Sequence, residues 1–261
     1  MSGTSTRSAQ ETPELEEVER TSDSDTESVK AEGTLSNETF SRVPRNKTRG
    51  LALVAVLAAL YVTANAIPID AFLGGSGFIT AGIVLLPVMA RLVRPSEAVI
   101  LAILAPLGLL AFQLSVIPVF GFFGLAIPAL AILLGSLGSH RSYLIPASYV
   151  LFGAVWYFLF SGGTLFWLIP YGIAIAASVA YQGKLFKGNK KWETVVHVLD
   201  TTMCELVTMN ILSVSLLLLP GALWTIITPF MFLERGAAIF GGSSILFILM
   251  RVRGPLRLED I

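Results

Sequence analysis

Five side chains in this chain carry charge or strong polarity where the surrounding sequence is apolar: Asp200, Glu205, Asn210, Glu234 and Arg235. An ionisable group inside hydrocarbon is costly, so it pairs, meets a ligand or carries a proton. Glu234 and Arg235 are adjacent in the last apolar stretch. As functional groups they would face a ligand in an outward-opening pocket; as structural groups they would form a mutual or interhelical ion pair. Counting back from Arg251 along a helix puts Arg235 roughly 24 Å from the inner edge. That is the outer third of a hydrocarbon layer about 30 Å thick. Glu205 stands roughly 12 Å beyond His197, about 10 Å closer to the cytoplasm than Arg235, which predicts no direct pair between them. Asn210 is nearer to Arg235 in level. A rotation of about 140° separates it from Glu205, so the two need not line one cavity. Asp200 falls near the cytoplasmic edge and is expected to be solvated or paired with nearby lysines.

No motif for soluble-type catalysis accompanies these groups. There is no glycine-rich phosphate loop, no His-Glu-x-x-His and no Gly-x-Ser-x-Gly. The reading therefore assigns no catalytic residue, no metal ligand and no cofactor, and takes the chain not to be an enzyme. Cys204 is the single cysteine, which rules out an intrachain disulfide.

The elements that must position these side chains are membrane spans. The chain has 261 residues, 54% of them hydrophobic and 14% charged, more apolar than soluble domains usually are. Residues 1–45 read as a disordered cytoplasmic tail rich in acidic residues, Ser and Thr, because too few apolar side chains are present to offset the entropy of ordering. Residues 46–261 read as an all-α transmembrane helical domain of about eight spans, near 50–68, 77–93, 97–114, 117–138, 143–160, 164–182, 197–219 and 228–250. Lys and Arg fall in alternate gaps, at Arg91 and Arg94, at Arg141, at Lys184 to Lys191, and from Arg251 onward. Retention of basic residues in cytoplasmic loops then places both termini in the cytoplasm of a multi-pass cell-membrane protein. The lipid bilayer is thus a partner, and the basic residues are topology signals rather than a nucleic-acid surface. His140 and His197 both fall at expected cytoplasmic edges.

Three further features accompany the spans. Ala55, Ala59 and Thr63 recur at helical spacing and make a narrow face of small side chains. Such a face admits a second helix closely, either within the chain or from a partner. Asn65 and Asp70 follow near the outer end of the first span. Asn65 either lines a cavity or caps the helix; Asp70 and the glycines Gly74, Gly75 and Gly77 form either a gate over an external site or an ordinary turn. Trp156, Tyr157, Phe158, Phe160, Phe166, Trp167 and Tyr171 gather around the third external gap, mostly as an interfacial belt.

The run Ala58 to Pro68 (AALYVTANAIP), then Gly77-Phe-Ile-Thr-Ala-Gly and Arg94-Pro-Ser-Glu-Ala, resembles the substrate-binding S components of energy-coupling factor transporters. The resemblance covers about residues 50–105, with a looser echo at Pro229–Met250. It implies a solute-uptake subunit for a vitamin-like small molecule or a metal ion. Ala55 and Ala59 would dock a transmembrane coupling subunit driven by partner ATPases, and substrate would bind near the outer face under the loop from Asp70 to Gly77. Together with the residue reading, this makes Asn65, Asp70, Asn210, Glu234 and Arg235 the candidate substrate-binding residues, with Glu205 as an intramembrane acid. The family core has six helices against about eight here. A self-contained secondary transporter or channel is the alternative, and a membrane-embedded enzyme a more distant one.

Overall fold

A computed structural model describes residues 47–67, 80–114, 116–185 and 188–256. The tail 1–45, Asp70 and the glycines Gly74, Gly75 and Gly77 lie outside the described residues.

Every described element is helical. The α-helices are α1 (Lys47–Asn65), α2 (Gly82–Leu92), α3 (Pro95–Phe112), α4 (Ile117–Phe120), α5 (Ala126–His140), α6 (Leu144–Phe160), α7 (Ile169–Gln182), α8 (Lys190–Leu212) and α9 (Gly221–Leu256). A short 3-10 turn joins α4 to α5, and another, Leu165–Leu168, leads into α7. Local signals set several boundaries. Pro95 opens α3 while the Glu97 carboxylate accepts the Arg94 N–H at 3.0 Å, and the Asn189 side chain accepts the Lys191 N–H at 3.1 Å to start α8. Gly162, at φ +59, turns the chain after α6.

Six of the described helical runs are long and apolar enough to cross a membrane: Thr48–Asn65, Pro95–Phe112, Ile117–His140, Leu165–Gln182, Lys190–Leu217 and Gly221–Val252. The other two expected spans correspond to shorter helices. α6 has 17 residues, about 25 Å of rise, and α2 has 11, about 16 Å or half the hydrocarbon thickness.

Cross-contacts order the helices into an antiparallel bundle. At one end Arg91 of α2 ion-pairs with Glu193 of α8 and donates to the Tyr143 hydroxyl before α6 at 3.4 Å. There, too, Ser136 of α5 donates to the Val93 carbonyl at 3.1 Å, and the Tyr143 and Tyr181 rings meet edge-on at 5.2 Å. Thr194 of α8 reaches the Met250 sulfur of α9 at 3.6 Å. This is the basic end. At the opposite end the Thr80 hydroxyl donates to Asn65 Oδ1 at 2.7 Å, and the Tyr157 hydroxyl to the Thr164 carbonyl at 3.2 Å.

α8 is the central helix. It packs against α2, α5, α6, α7 and α9, and 72% of its apolar window is buried, against 28–39% in the other five long runs. It is also the most polar of them, because a helix that carries His, Asp, Glu, Asn and threonines must turn those groups away from lipid. Its threonines bond back to their own helix, Thr201 to His197 O at 2.8 Å and Thr208 to Cys204 O at 2.8 Å. Around it lie two cores. One is Val54, Leu57, Tyr61, Leu86, Leu101, Leu109, Ile132 and their neighbours, from α1, α2, α3 and α5. The other joins Val150, Tyr157, Trp167, Tyr171, Met203, Leu206, Trp224 and Met231, from α6 to α9.

Candidate functional site

Arg235 stands at the centre of the candidate site. Its Nη1 donates to Glu205 Oε2 at 2.6 Å and to the Thr202 carbonyl at 3.1 Å, while Nη2 donates to Glu234 Oε1 at 2.9 Å. Two carboxylates thus share one guanidinium, whose planar fork suits this geometry. The arginine side chain is 3% exposed, Glu205 12% and Glu234 14%. The positive group is sealed, and the carboxylates retain the remaining access.

The Glu205–Arg235 pair overturns the expectation that the two stand too far apart. His197 is not the edge from which to count, since α8 begins at Lys190 and Thr194 touches Met250 of α9. Measured from that contact, Glu205 stands about 16 Å and Arg235 about 22 Å along the bundle. Two long side chains bridge the difference. His197 itself is buried, not at an edge, with its Nε2 2.8 Å from the Pro87 carbonyl.

Asp200 also departs from expectation. It is fully buried rather than solvated, and the Ser178 hydroxyl of α7 lies 2.7 and 2.6 Å from its two oxygens. No salt bridge to Asp200 occurs among the described residues. The lysines do not reach it, because α8 extends seven residues further toward the basic end than the expected span.

Asn210 is buried on the side of α8 that meets α7, where its Nδ2 donates to the Tyr171 hydroxyl. Its Oδ1 has no hydrogen-bond partner among the described residues, and neither has Arg235 Nε. Glu205 and Arg235 join α8 to α9, and Asn210 and Tyr171 join α8 to α7, so α8 carries the buried polar neighbourhood. Beyond Tyr171, Trp167 stacks on Tyr157 at 6.0 Å, and Trp224 meets Trp167 edge-on at 5.1 Å and Tyr157 at 5.3 Å. Tyr157, Trp167 and Tyr171 belong to this interior cluster and not to an interfacial belt. Phe158, Phe160 and Phe166 remain exposed.

Asn65 is buried and its side chain holds the last turn of α1, which favours the cap over the cavity. Its Nδ2 donates to the Tyr61 carbonyl at 2.8 Å and its Oδ1 accepts from Thr80, so it clamps the end of α1 to the start of α2. Gly82 approaches this amide so closely that a Cβ there would collide with it. Ala55, Ala59 and Thr63 are exposed, and α1 packs within the chain through Val54, Leu57, Ala58 and Tyr61. The small-residue face is thus not used for packing against the described residues of the chain.

A recess of about 280 Å³ lies between the Leu165–Leu168 turn and α9, lined by Thr164, Phe166, Thr225, Thr228, Pro229 and Phe232. It contains no charged group and none of the residues bonded to Arg235, so the buried polar neighbourhood is the better candidate. Among the described residues no three His, Cys, Asp or Glu side chains converge as a metal site would require. Ser178 was not legible as the partner of Asp200, because a lone Ser in an apolar helix gives no signal until its partner is known.

An all-helical chain with six apolar runs of spanning length and a charged cluster inside its bundle is a membrane protein. Compared with known proteins, the chain matches no family model, no curated protein and no solved structure.

Proposed function

We propose that this chain is a membrane-embedded solute-uptake protein, the substrate-binding subunit of a transporter energised by partner ATPases. The single observation that carries the reading is the Glu205–Arg235–Glu234 cluster with its unpartnered Arg235 Nε, beside the unpartnered Asn210 Oδ1. Packing alone is served at lower cost by apolar side chains, so a buried cluster that leaves donors and acceptors free suits ligand recognition. Asn210, Glu234 and Arg235 remain the proposed binding residues, with Glu205 added to them. Asn65 acts as a clamp instead.

In the same reading the exposed Ala55–Ala59–Thr63 face docks a transmembrane coupling subunit. Its support is that α1 buries a different face within the chain. The basic end faces the cytoplasm of the cell membrane with both termini on that side, and the chain crosses about eight times, α2 and α6 being the short crossings. Mild solubilisation followed by mass spectrometry is expected to recover co-purifying subunits and a retained small molecule. Ala55→Trp and Ala59→Trp should abolish subunit recovery while leaving the small molecule bound; unchanged recovery in both variants counts against docking through α1.

A second reading, a self-contained secondary transporter, is favoured by one observation. Asp200, without an ion pair, lies one and a half turns from Glu205 on the same buried helix, as in proton-carrying spans. Flux into liposomes containing only this protein, lost on Glu205→Gln, would select it over the subunit reading.

A further inference from the structure

Charge and hydrogen-bond accounting at the cluster narrow the ligand, given the solute-uptake reading above. Glu205 and Glu234 bring two negative charges and Arg235 one positive charge. No other salt bridge joins them among the described residues, and the basic side chains Arg91, Lys190 and Arg251 belong to the far end of the bundle. With all three groups ionised the cluster carries one excess negative charge inside the membrane, where an uncompensated charge is strongly disfavoured. A cation that enters, or a proton on one of the carboxylates, would complete it.

The hydrogen-bond pattern points the same way. Both Arg235 terminal nitrogens are engaged with protein oxygens, and the side chain is sealed. The exposure that remains at the cluster is on the two carboxylates, which accept hydrogen bonds, and further along α8 the Asn210 Oδ1 is a buried, unpartnered acceptor. A ligand matched to these carries N–H donors and a positive charge. Arg235 Nε and the buried Trp167 Nε1 are free donors among the described residues, suited to a hydroxyl or carbonyl of the same ligand. A divalent metal ion fits less well, since it takes six or more oxygens and each carboxylate already commits one oxygen to Arg235. Tyr171, bonded to Asn210, and Trp167 beyond it supply aromatic faces of the kind that attract an organic cation.

We infer that the Glu205–Arg235–Glu234 cluster is the recognition site for a singly charged organic ammonium group, with the carboxylates as its counter-charges, Arg235 as the strut that holds them, and the Tyr171–Trp167 side accommodating an apolar or aromatic body. This site rests on the uptake reading but can fail independently of it.

The test uses the full chain in lipid nanodiscs and follows thermal unfolding with matched probes: phenethylamine against 2-phenylethanol and 3-phenylpropionate, and ethanolamine against ethylene glycol. Saturable stabilisation by the amines alone, phenethylamine acting at lower concentration than ethanolamine, is the expected result. In Glu205→Gln and Glu234→Gln, each isosteric and each leaving Arg235 with one carboxylate, the half-maximal concentration should rise at least about tenfold, the equivalent of one lost charge-assisted hydrogen bond. Equal stabilisation by the neutral or anionic probes overturns the inference. So does an amine effect that persists unchanged in both variants, which would mark lipid partitioning. Glutamine variants that gain stability while no amine acts on the parent protein also overturn it, since a proton alone would then complete the charge. If the natural solute retained by the purified protein proves anionic or neutral, uptake stands and the ammonium site falls.

Discussion

The two cores on either side of α8 are built on opposite terms. The α1–α2–α3–α5 side is filled by aliphatic side chains such as Leu86, Leu101, Leu109 and Ile132, with few polar contacts, among them Asn65–Thr80, Ser136–Val93 and the Pro87 carbonyl with His197. The α6–α9 side contains aromatic rings and nearly all the buried polar chemistry: Asp200–Ser178, Asn210–Tyr171, Tyr149–Thr208 at 2.9 Å and the Arg235 cluster. In lipid, apolar packing gains little from water exclusion, so the first side is held by close fit. The second side depends on the pairing of its charges, and a single broken ion pair there has a large effect.

The strongest test of that contrast is Arg235→Met. It leaves Glu205 and Glu234 buried without their cation and should cost about 3–5 kcal/mol, read as a collapse of the monodisperse peak in detergent or a large fall in unfolding temperature. Adding Glu205→Gln and Glu234→Gln to the same chain should restore most of the loss. A chain that tolerates Arg235→Met alone would remove the charged core from the account.

Next in size is Gly135→Leu, at the contact of α5 with α8 and α2. A Cβ there would lie 2.5 Å from the Thr201 hydroxyl oxygen and 2.9 Å from Ala90 Cβ. Overpacking should cost about 1–3 kcal/mol, measured by thermal unfolding in detergent, with no change in ligand retention because the cluster is not touched. Ser178→Ala removes the one side-chain hydroxyl at Asp200 and should cost about 1–2 kcal/mol. Adding Asp200→Asn to it should recover part of that loss, since the buried group is then neutral. The smallest effect belongs to α1: Ala55→Leu, on its exposed face, should change stability by less than about 0.5 kcal/mol. A larger loss would show that this face packs within the chain.

Much of the architecture was legible before any coordinates. Each expected span meets a helical run, with ends shifted by up to seven residues at the starts of α8 and α9, because long apolar runs and basic punctuation are local properties that survive folding. The misjudged positions are those whose environment depends on where a helix starts and what stands across from it. A span starting at His197 put that residue and Asp200 at an edge, whereas the helix starts at Lys190 and carries both into the interior. The same shift hid the Glu205–Arg235 bond. Tyr157, Trp167 and Tyr171 follow the composition of an interfacial belt, yet they pack inward, since an aromatic side chain suits either place. Nor could spacing say which face of α1 packs within the chain; the burial of Val54, Leu57 and Tyr61 shows that face and leaves Ala55 and Ala59 exposed.

By itself the sequence determined that this is a helical membrane chain, that its basic groups fall in alternate gaps, and that Glu205, Asn210, Glu234 and Arg235 are costly residues requiring partners. Those conclusions rest on hydropathy, charge placement and the expense of polar groups in hydrocarbon, which are read one segment at a time. Only the tertiary structure decided that α8 is central, that Asp200 meets Ser178, and that one guanidinium joins two carboxylates from different helices. Pairing across helices depends on relative depth and rotation, and small errors in a helix start change both.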